Sequence, residues 1–238
     1  MPKLGFLGVG WIGLNRMEAI AKAGCAEVSV IADPSREMQT KALGIAPNAV
    51  TVTSVEELLD QDLDGIVIAT PSALHAEQSI AALEKGIAVF CQKPLARTAA
   101  ETRQVIESAR YANKLLGVDL SYRFVKGVPE LRRIIQSGEL GQIFSVDMVF
   151  HNAYGPDKAW FYNAELSGGG CVIDLGIHLV DLALWSMNFP KVSSVTSRLY
   201  SQGEQICRRE SSSESWSAGT AGLTAPTTKV CSGTTVED

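Results

Sequence analysis

Leu4-Gly5-Phe6-Leu7-Gly8-Val9-Gly10-Trp11-Ile12-Gly13 is the stretch that decides the fold of this 238-residue chain. Leu4–Leu7 reads as a short apolar strand. Trp11–Ala23 has helical spacing, with Ile12, Met17, Ile20 and Ala21 on an inner face. Between them stands Gly8-x-Gly10-x-x-Gly13. The first glycine permits a tight turn, the second lets backbone approach a pyrophosphate, and the third lets strand and helix pack closely. The helix N-terminus then faces the phosphates, so Trp11 and Ile12 count with Gly8, Gly10 and Gly13 as cofactor-binding residues. Glu27–Ala32 reads as the next strand and ends at Asp33, 20 residues past Gly13. A carboxylate there suits ribose hydroxyls and repels a 2′-phosphate, which favours NAD; Arg36 leaves NADP open. The competing reading of Asp33 is an N-cap for the helix that starts near Ser35.

The alternation continues through residue 120. Ser35–Leu43 and Ser54–Leu59 read as helices, the second opened by a capping box of Ser54 and Glu57. Gly65–Ala69 is a strand closed by Thr70-Pro71, and Ala73–Lys85 a helix stopped by Gly86. Ile87–Cys91 is a strand closed by Lys93-Pro94. Thr98–Asn113 is a helix capped by Thr98, and Leu115–Leu120 a further strand. Continuous apolar strands between helices argue for an α/β chain with a doubly wound parallel sheet covered on both faces. Ligands of such sheets bind beyond the carboxyl ends of the strands. Thr70, Pro71, Ser72, Gln92 and Lys93 all fall there and are assigned to the cofactor cleft, with His75 as a further cofactor contact. Thr70 and Ser72 read equally well as a helix cap. Lys93 at the carboxyl edge can hydrogen-bond a substrate hydroxyl; by position alone a lysine is more often a solvated surface charge.

From residue 121 the pattern changes. Val128–Ser137 reads as a helix, Gln142–His151 as a long strand, Asp174–Asn188 as an apolar helix and Val192–Tyr200 as another strand. Residues 152–170, with Tyr154, Trp160, Phe161 and Tyr162, read as an active-site loop. The expected organisation is a dinucleotide-binding domain at 1–120, the start of a second, α+β domain at 121–200, and an irregular tail at 201–238. Gly168-Gly169-Gly170-Cys171-Val172-Ile173-Asp174-Leu175-Gly176-Ile177-His178 carries the second constellation. Asp174 and His178 are four apart, so on a helix they share a face. A carboxylate beside an imidazole can move a proton near neutral pH. On spacing alone Asp174 reads equally as a cap and His178 as a core histidine; Asp181 is read as structural.

Composition narrows the partners. Net charge is −5 and no basic patch stands out, so nucleic acid is not an expected partner. The N-terminus has no charged-then-apolar leader, and no unbroken apolar run reaches the ~18 residues of a membrane helix. A cytoplasmic location and no membrane partner are expected. The 5 cysteines are odd in number and widely spaced, without a CxxC pair, which suggests reduced, mostly buried thiols with neither a zinc site nor a disulfide framework.

Together these motifs resemble the glucose–fructose oxidoreductase and inositol dehydrogenase (Gfo/Idh/MocA) family. The resemblance covers residues 3–200. It rests on the Gly8–Gly13 turn, Ala69-Thr70-Pro71-Ser72 with Leu74-His75, Lys93-Pro94, Gly138-x-x-Gly141, and the Gly168–His178 block with Asp181. It implies an N-terminal Rossmann domain and a second α+β domain, incomplete here, whose sheet is mostly antiparallel. It also implies NAD(P)-dependent hydride transfer at a secondary hydroxyl of a sugar, inositol or related polyol. By the resemblance His178 is the general base, Asp174 binds a substrate hydroxyl and orients His178, and Lys93 hydrogen-bonds the reacting oxygen. Arg123, after Tyr122, matches a cleft position at the nicotinamide or substrate. Tyr154, Trp160 and Phe161 suit stacking on a sugar ring and equally suit a domain interface, with Trp160 taken as substrate-binding. Members of the family are homo-oligomers joined through the second sheet, an interface expected to be lost here. Two features depart from the family pattern. Gln92 replaces the usual Glu before Lys-Pro, removing a negative charge beside Lys93. Residues 201–238 are rich in Ser and Thr, lose all period, and are expected to be a non-native tail left by a frameshift near 201–210 or a truncated gene. The alternative function is a catalytically inactive dinucleotide-binding fragment.

Overall fold

Phe6 and Leu7 are adjacent on one strand, yet each is buried in a different core. That is the period of two of a strand with apolar layers on both sides. The computed structural model describes residues 1–152, 155–201 and 204–206, and the chain divides into two compact units, Met1–Leu120 and Ser121–Asp238. In the first unit strands and helices alternate as β1 (Lys3–Leu7), α1 (Trp11–Ala23), β2 (Glu27–Ala32), α2 (Arg36–Leu43), β3 (Val50–Val52), α3 (Val55–Leu59), β4 (Gly65–Ile68), α4 (His75–Glu84), β5 (Ala88–Gln92), α5 (Ala99–Ala112) and β6 (Leu116–Asp119). The sheet order is β3-β2-β1-β4-β5-β6, with every pair parallel. This is the doubly wound Rossmann arrangement, with β1 and β4 at the switch point where the strand order reverses.

The two cores follow from the alternation. Phe6, Ile31 and Val67 point to the side of Met17 on α1 and Ala42 on α2. Leu7, Val30, Ile66 and Ile68 point to the other side, against Leu58, Leu83, Val105 and Ala109 of α3, α4 and α5. Phe6 and Met17 are fully buried, and each such side chain contributes about 1.5–3 kcal/mol by leaving water. Cys91 on β5 is also fully buried, and desolvation pushes its thiol up to about 12. The helix starts are written locally. Ser35, Ser54 and Thr98 accept from the N–H groups of Met38, Glu57 and Glu101 respectively. Gly24 and Asn113, both left-handed, close α1 and α5.

Register then gathers the strand ends. Leu7 pairs with Ala32 on one side and Ile68 on the other, so Gly8, Asp33 and Ala69 leave the sheet at one level. The strands not anticipated from sequence are β3, whose 3 residues are too few to display a period, and Glu204–Ile206 in the second unit, which lies inside the tail expected to be irregular.

Most of the regular elements described in the second unit are helical. After a 3₁₀ turn at Ser121–Phe124 come α6 (Val128–Ser137), a 3₁₀ turn at Ala159–Tyr162 and α7 (Ala164–Ser167). A π-helical turn, Val172–Gly176, leads directly into α8 (Ile177–Ser186). Two hairpin strands, β7 (Leu199–Ser201) and β8 (Glu204–Ile206), pair antiparallel. Three expectations need correction here. Gln142–His151 forms no strand, and Val192–Tyr200 contributes only its last two residues to one. A strand is defined by its ladder; among the described residues Gln142–His151 finds none, and in the second segment only Leu199 and Tyr200 find partners. The helix expected from Asp174 begins instead as the π turn. By length and composition alone the helical stretch Ala164–Ser186 would reach across a bilayer; it is broken by Gly168–Gly170 and carries Asp174, His178 and Asp181. Tyr154 and most of the expected tail, 202–203 and 207–238, lie outside the described residues.

Candidate functional site

The glycine turn divides into positions that have no room and one that has nothing but room. At Gly8, φ is +82°, and a Cβ would sit 2.8 Å from the carbonyl oxygen of Ala69 at the end of β4. A Cβ on Gly13 would fall on the carbonyl oxygen of Gly8. Gly10, the N-cap of α1, would place a Cβ in open space with no atom within 4 Å. Its backbone is extended, so the missing side chain there answers no internal need. It leaves a cradle at the positive end of a 13-residue helix. Trp11, exposed, and Ile12, half-buried, form the first step of that helix.

Asp33 stands beside the cradle, only 8% exposed. One carboxylate oxygen accepts from the Val9 N–H and the other from the Ser35 N–H, each at 2.8 Å. The cap of α2 is Ser35 and not Asp33. A carboxylate has about four acceptor positions, so two neighbouring hydroxyls can still be held. Arg36, exposed on the first turn of α2, is the cation nearest in sequence. These residues fit a dinucleotide: an open backbone cradle on a helix N-terminus, flanked by a fixed carboxylate.

The ends of β4 and β5 are braced to one another. His75 is 1% exposed, with Nδ1 2.7 Å from the Pro94 carbonyl and Nε2 2.8 Å from the Thr70 carbonyl. The ring expected to touch cofactor therefore turns both nitrogens to backbone carbonyls of two loops, and in its neutral form donates to one of them. Burial holds its proton affinity below the usual histidine range, against the two carbonyls that favour a charged ring; Lys93 pushes it further down. Thr70 donates its hydroxyl to Gln78 at 2.6 Å, and Pro71 leads into a short 3₁₀ turn that begins at the buried Ser72. Gln92, also buried, donates to Asp119 at the end of β6. Asp119 also receives Arg16 from α1. Lys93 is half-buried and follows directly, with a cis bond to Pro94. Neither Asp119 nor Arg16 was signalled by sequence; the hint available was an acid closing a strand, as Asp33 closes β2.

In the second unit Asp174 lies in the π turn and His178 on α8, 5% exposed. The missed residue is Tyr122, whose ring stacks on His178 with centroids 4.0 Å apart and planes at 10°. Arg123, expected at substrate, sends Nε and Nη2 to the two oxygens of Asp181, at 2.9 and 2.5 Å. It also lies over the rings of Trp185 and Phe189. Asp181 holds the guanidinium firmly charged. Trp160 stacks on Phe161 at 3.8 Å.

Comparison with known proteins agrees with this construction. Residues 3–120 match the model of an oxidoreductase family with an NAD-binding Rossmann fold, and residues 128–231 match the GFO/IDH/MocA C-terminal domain. The first unit is thus an NAD-binding oxidoreductase domain. The chain as a whole belongs to the Gfo/Idh/MocA family. It is 35% identical to D-glucoside 3-dehydrogenase of Escherichia coli over 58% of its own length and 39% of the relative's. It is 30% identical to 1,5-anhydro-D-fructose reductase of Ensifer adhaerens over 79% of its length and 57% of the relative's. The structure of GenD2 from gentamicin A biosynthesis, in complex with NAD, superposes with a TM-score of 0.74 at 21% identity, covering 86% of this chain and 60% of that one. The chain thus spans about half the length of the curated relatives it matches.

Two outcomes follow from the turn and its brace. Gly13→Ala drives a methyl into backbone and should cost about 1–3 kcal/mol, read as a lower Tm. Gly10→Ala should leave Tm in place but weaken NAD binding by about tenfold or more in calorimetry. His75 has a lowered proton affinity in the fold, so as pH falls the unfolded chain takes up the proton first. The stability tied to neutral His75 is complete above its ordinary value of 6.5 and is lost progressively below it. Between pH 8 and pH 5 the Tm of His75→Gln should therefore fall less than that of the natural chain.

Proposed function

We propose that this chain acts as an NAD-dependent oxidoreductase on a secondary hydroxyl of a sugar, inositol or related polyol. The observation that carries the reading is the cradle at Gly10 with Asp33 fixed beside it. Gly8, Gly10 and Gly13 present the N–H groups of the α1 terminus to the phosphates, and Asp33 takes the ribose hydroxyls. Its charge disfavours a 2′-phosphate, which supports NAD over NADP. Bound NAD supplies the hydride acceptor. His178 takes the proton of the reacting hydroxyl at a ring nitrogen, and Asp174 holds a second substrate hydroxyl and orients the ring. Lys93 donates to the reacting oxygen and stabilises negative charge that develops there. The relatives named as a glucoside dehydrogenase and an anhydrofructose reductase support a carbohydrate hydroxyl as the target class.

A panel of glucosides, anhydro sugars and inositols, read by nicotinamide reduction, tests this. Turnover is expected on at least one member, and His178→Ala should lower kcat/KM about 10²–10⁴-fold while leaving the Kd for NAD unchanged. Turnover that survives His178→Ala overturns the assignment of the base. NAD binding without turnover across the panel leaves a dinucleotide-binding module instead.

A further inference from the structure

The short turn Ser121–Phe124 grips α8 at two successive points. Tyr122 lies flat on the His178 imidazole, and Arg123 holds Asp181 with two hydrogen bonds. His178 and Asp181 are three apart on the helix, so the two contacts fall on one face, about one turn apart. A ring on a ring fixes the imidazole plane; a bidentate ion pair fixes the helix against sliding. Arg123 is itself seated over Trp185 and Phe189, which anchors the turn that carries Tyr122. Phe150 lies nearly parallel to Tyr122, with centroids 6.4 Å apart and planes at 19°.

We propose that Tyr122 is a positioning residue for His178, holding the ring plane and stabilising its protonated form. The inference rests on the reading of His178 as the proton acceptor. The face of a phenol ring carries negative charge density, and a cation above it is attracted, more strongly where water is excluded. His178 is 5% exposed, so the contact is largely dry. Among the described residues, charged and titratable groups stand on either side of it along the helical run. Asp174 is four residues before it on the same helical run, and Asp181 is three after it and taken by Arg123. From the turn come Tyr122 and Arg123; from α6, Arg132 is turned to the carbonyl and ring of Trp185. The aromatic face thus tunes the base without adding a second titrating charge.

The measurement is the proton affinity of His178 by NMR of labelled histidine in the full chain, which holds only 3 histidines to assign. Tyr122→Leu should lower the imidazole pKa by about half a unit to one unit, and Tyr122→Phe, which keeps the face, should restore most of that shift. The acid limb of kcat/KM should move to lower pH by the same amount, because the base must be deprotonated to act. If Leu does not fold, Tyr122→Met fills the space with a flexible side chain and serves in its place. An imidazole pKa that is the same in the natural, Phe and Leu (or Met) chains overturns the proposal. The titration needs no substrate, so an absence of turnover counts against the proposed function and leaves this result standing by itself.

Discussion

The arrangement of the first unit depends on one missing atom. A Cβ on Gly13 would occupy the place of the Gly8 carbonyl oxygen, so β1, its turn and α1 can be this close only without it. That closeness seats Met17 in the core beside Phe6 and brings the Val9 N–H within reach of Asp33. The cradle at Gly10 is thus a by-product of packing between Gly8 and Gly13 on either side of it. The backbone groups that would receive a phosphate need no side chain to place them.

Around that turn the carboxyl edge of the sheet is tied strand to strand by side chains acting on backbone. Asp33 fastens the end of β2 to the turn after β1. His75 fastens the loop after β4 to the loop after β5. Asp119 gathers Gln92 from β5 and Arg16 from α1 onto the end of β6. These ties set the geometry of a binding edge whose loops would otherwise be its softest part. Gln92 itself carries no charge; the carboxylate stands one strand over, on the Asp119 to which it donates.

The pattern of the sheet was legible because its physics is local and repetitive. Phe6, Leu7, Ile31, Ile66 and Val67 are apolar on both faces because both faces are covered, and Ser35, Ser54 and Thr98 cap the helices that sequence reading starts at them. Gly8 and Gly13 were legible because each absence of a side chain there has a steric reason. What sequence did not display was partnership. His75 read as a cofactor contact because nothing in its own segment shows the Pro94 carbonyl 19 residues on. Arg123 and Asp181 are 58 residues apart and satisfy each other, and Tyr122 finds His178 across a similar gap. The strands expected at 142–151 and 192–200 had the composition of strands, but composition alone supplies no neighbour to pair with, and only Leu199 and Tyr200 find one.

Cys91 turns the tightness of the central sheet into something that can be counted. Its thiol sits on an inner strand with no exposed surface, and its ionisation is pushed up to about 12 by burial. Only the thiolate reacts, so a closed molecule hides this sulfur from alkylating reagents twice, by access and by charge. Each alkylation at Cys91 would mark a moment when β5 had separated from its neighbours. The exposed thiols of Cys25 and Cys171 would meanwhile react without any opening and serve as the clock against which such moments are timed.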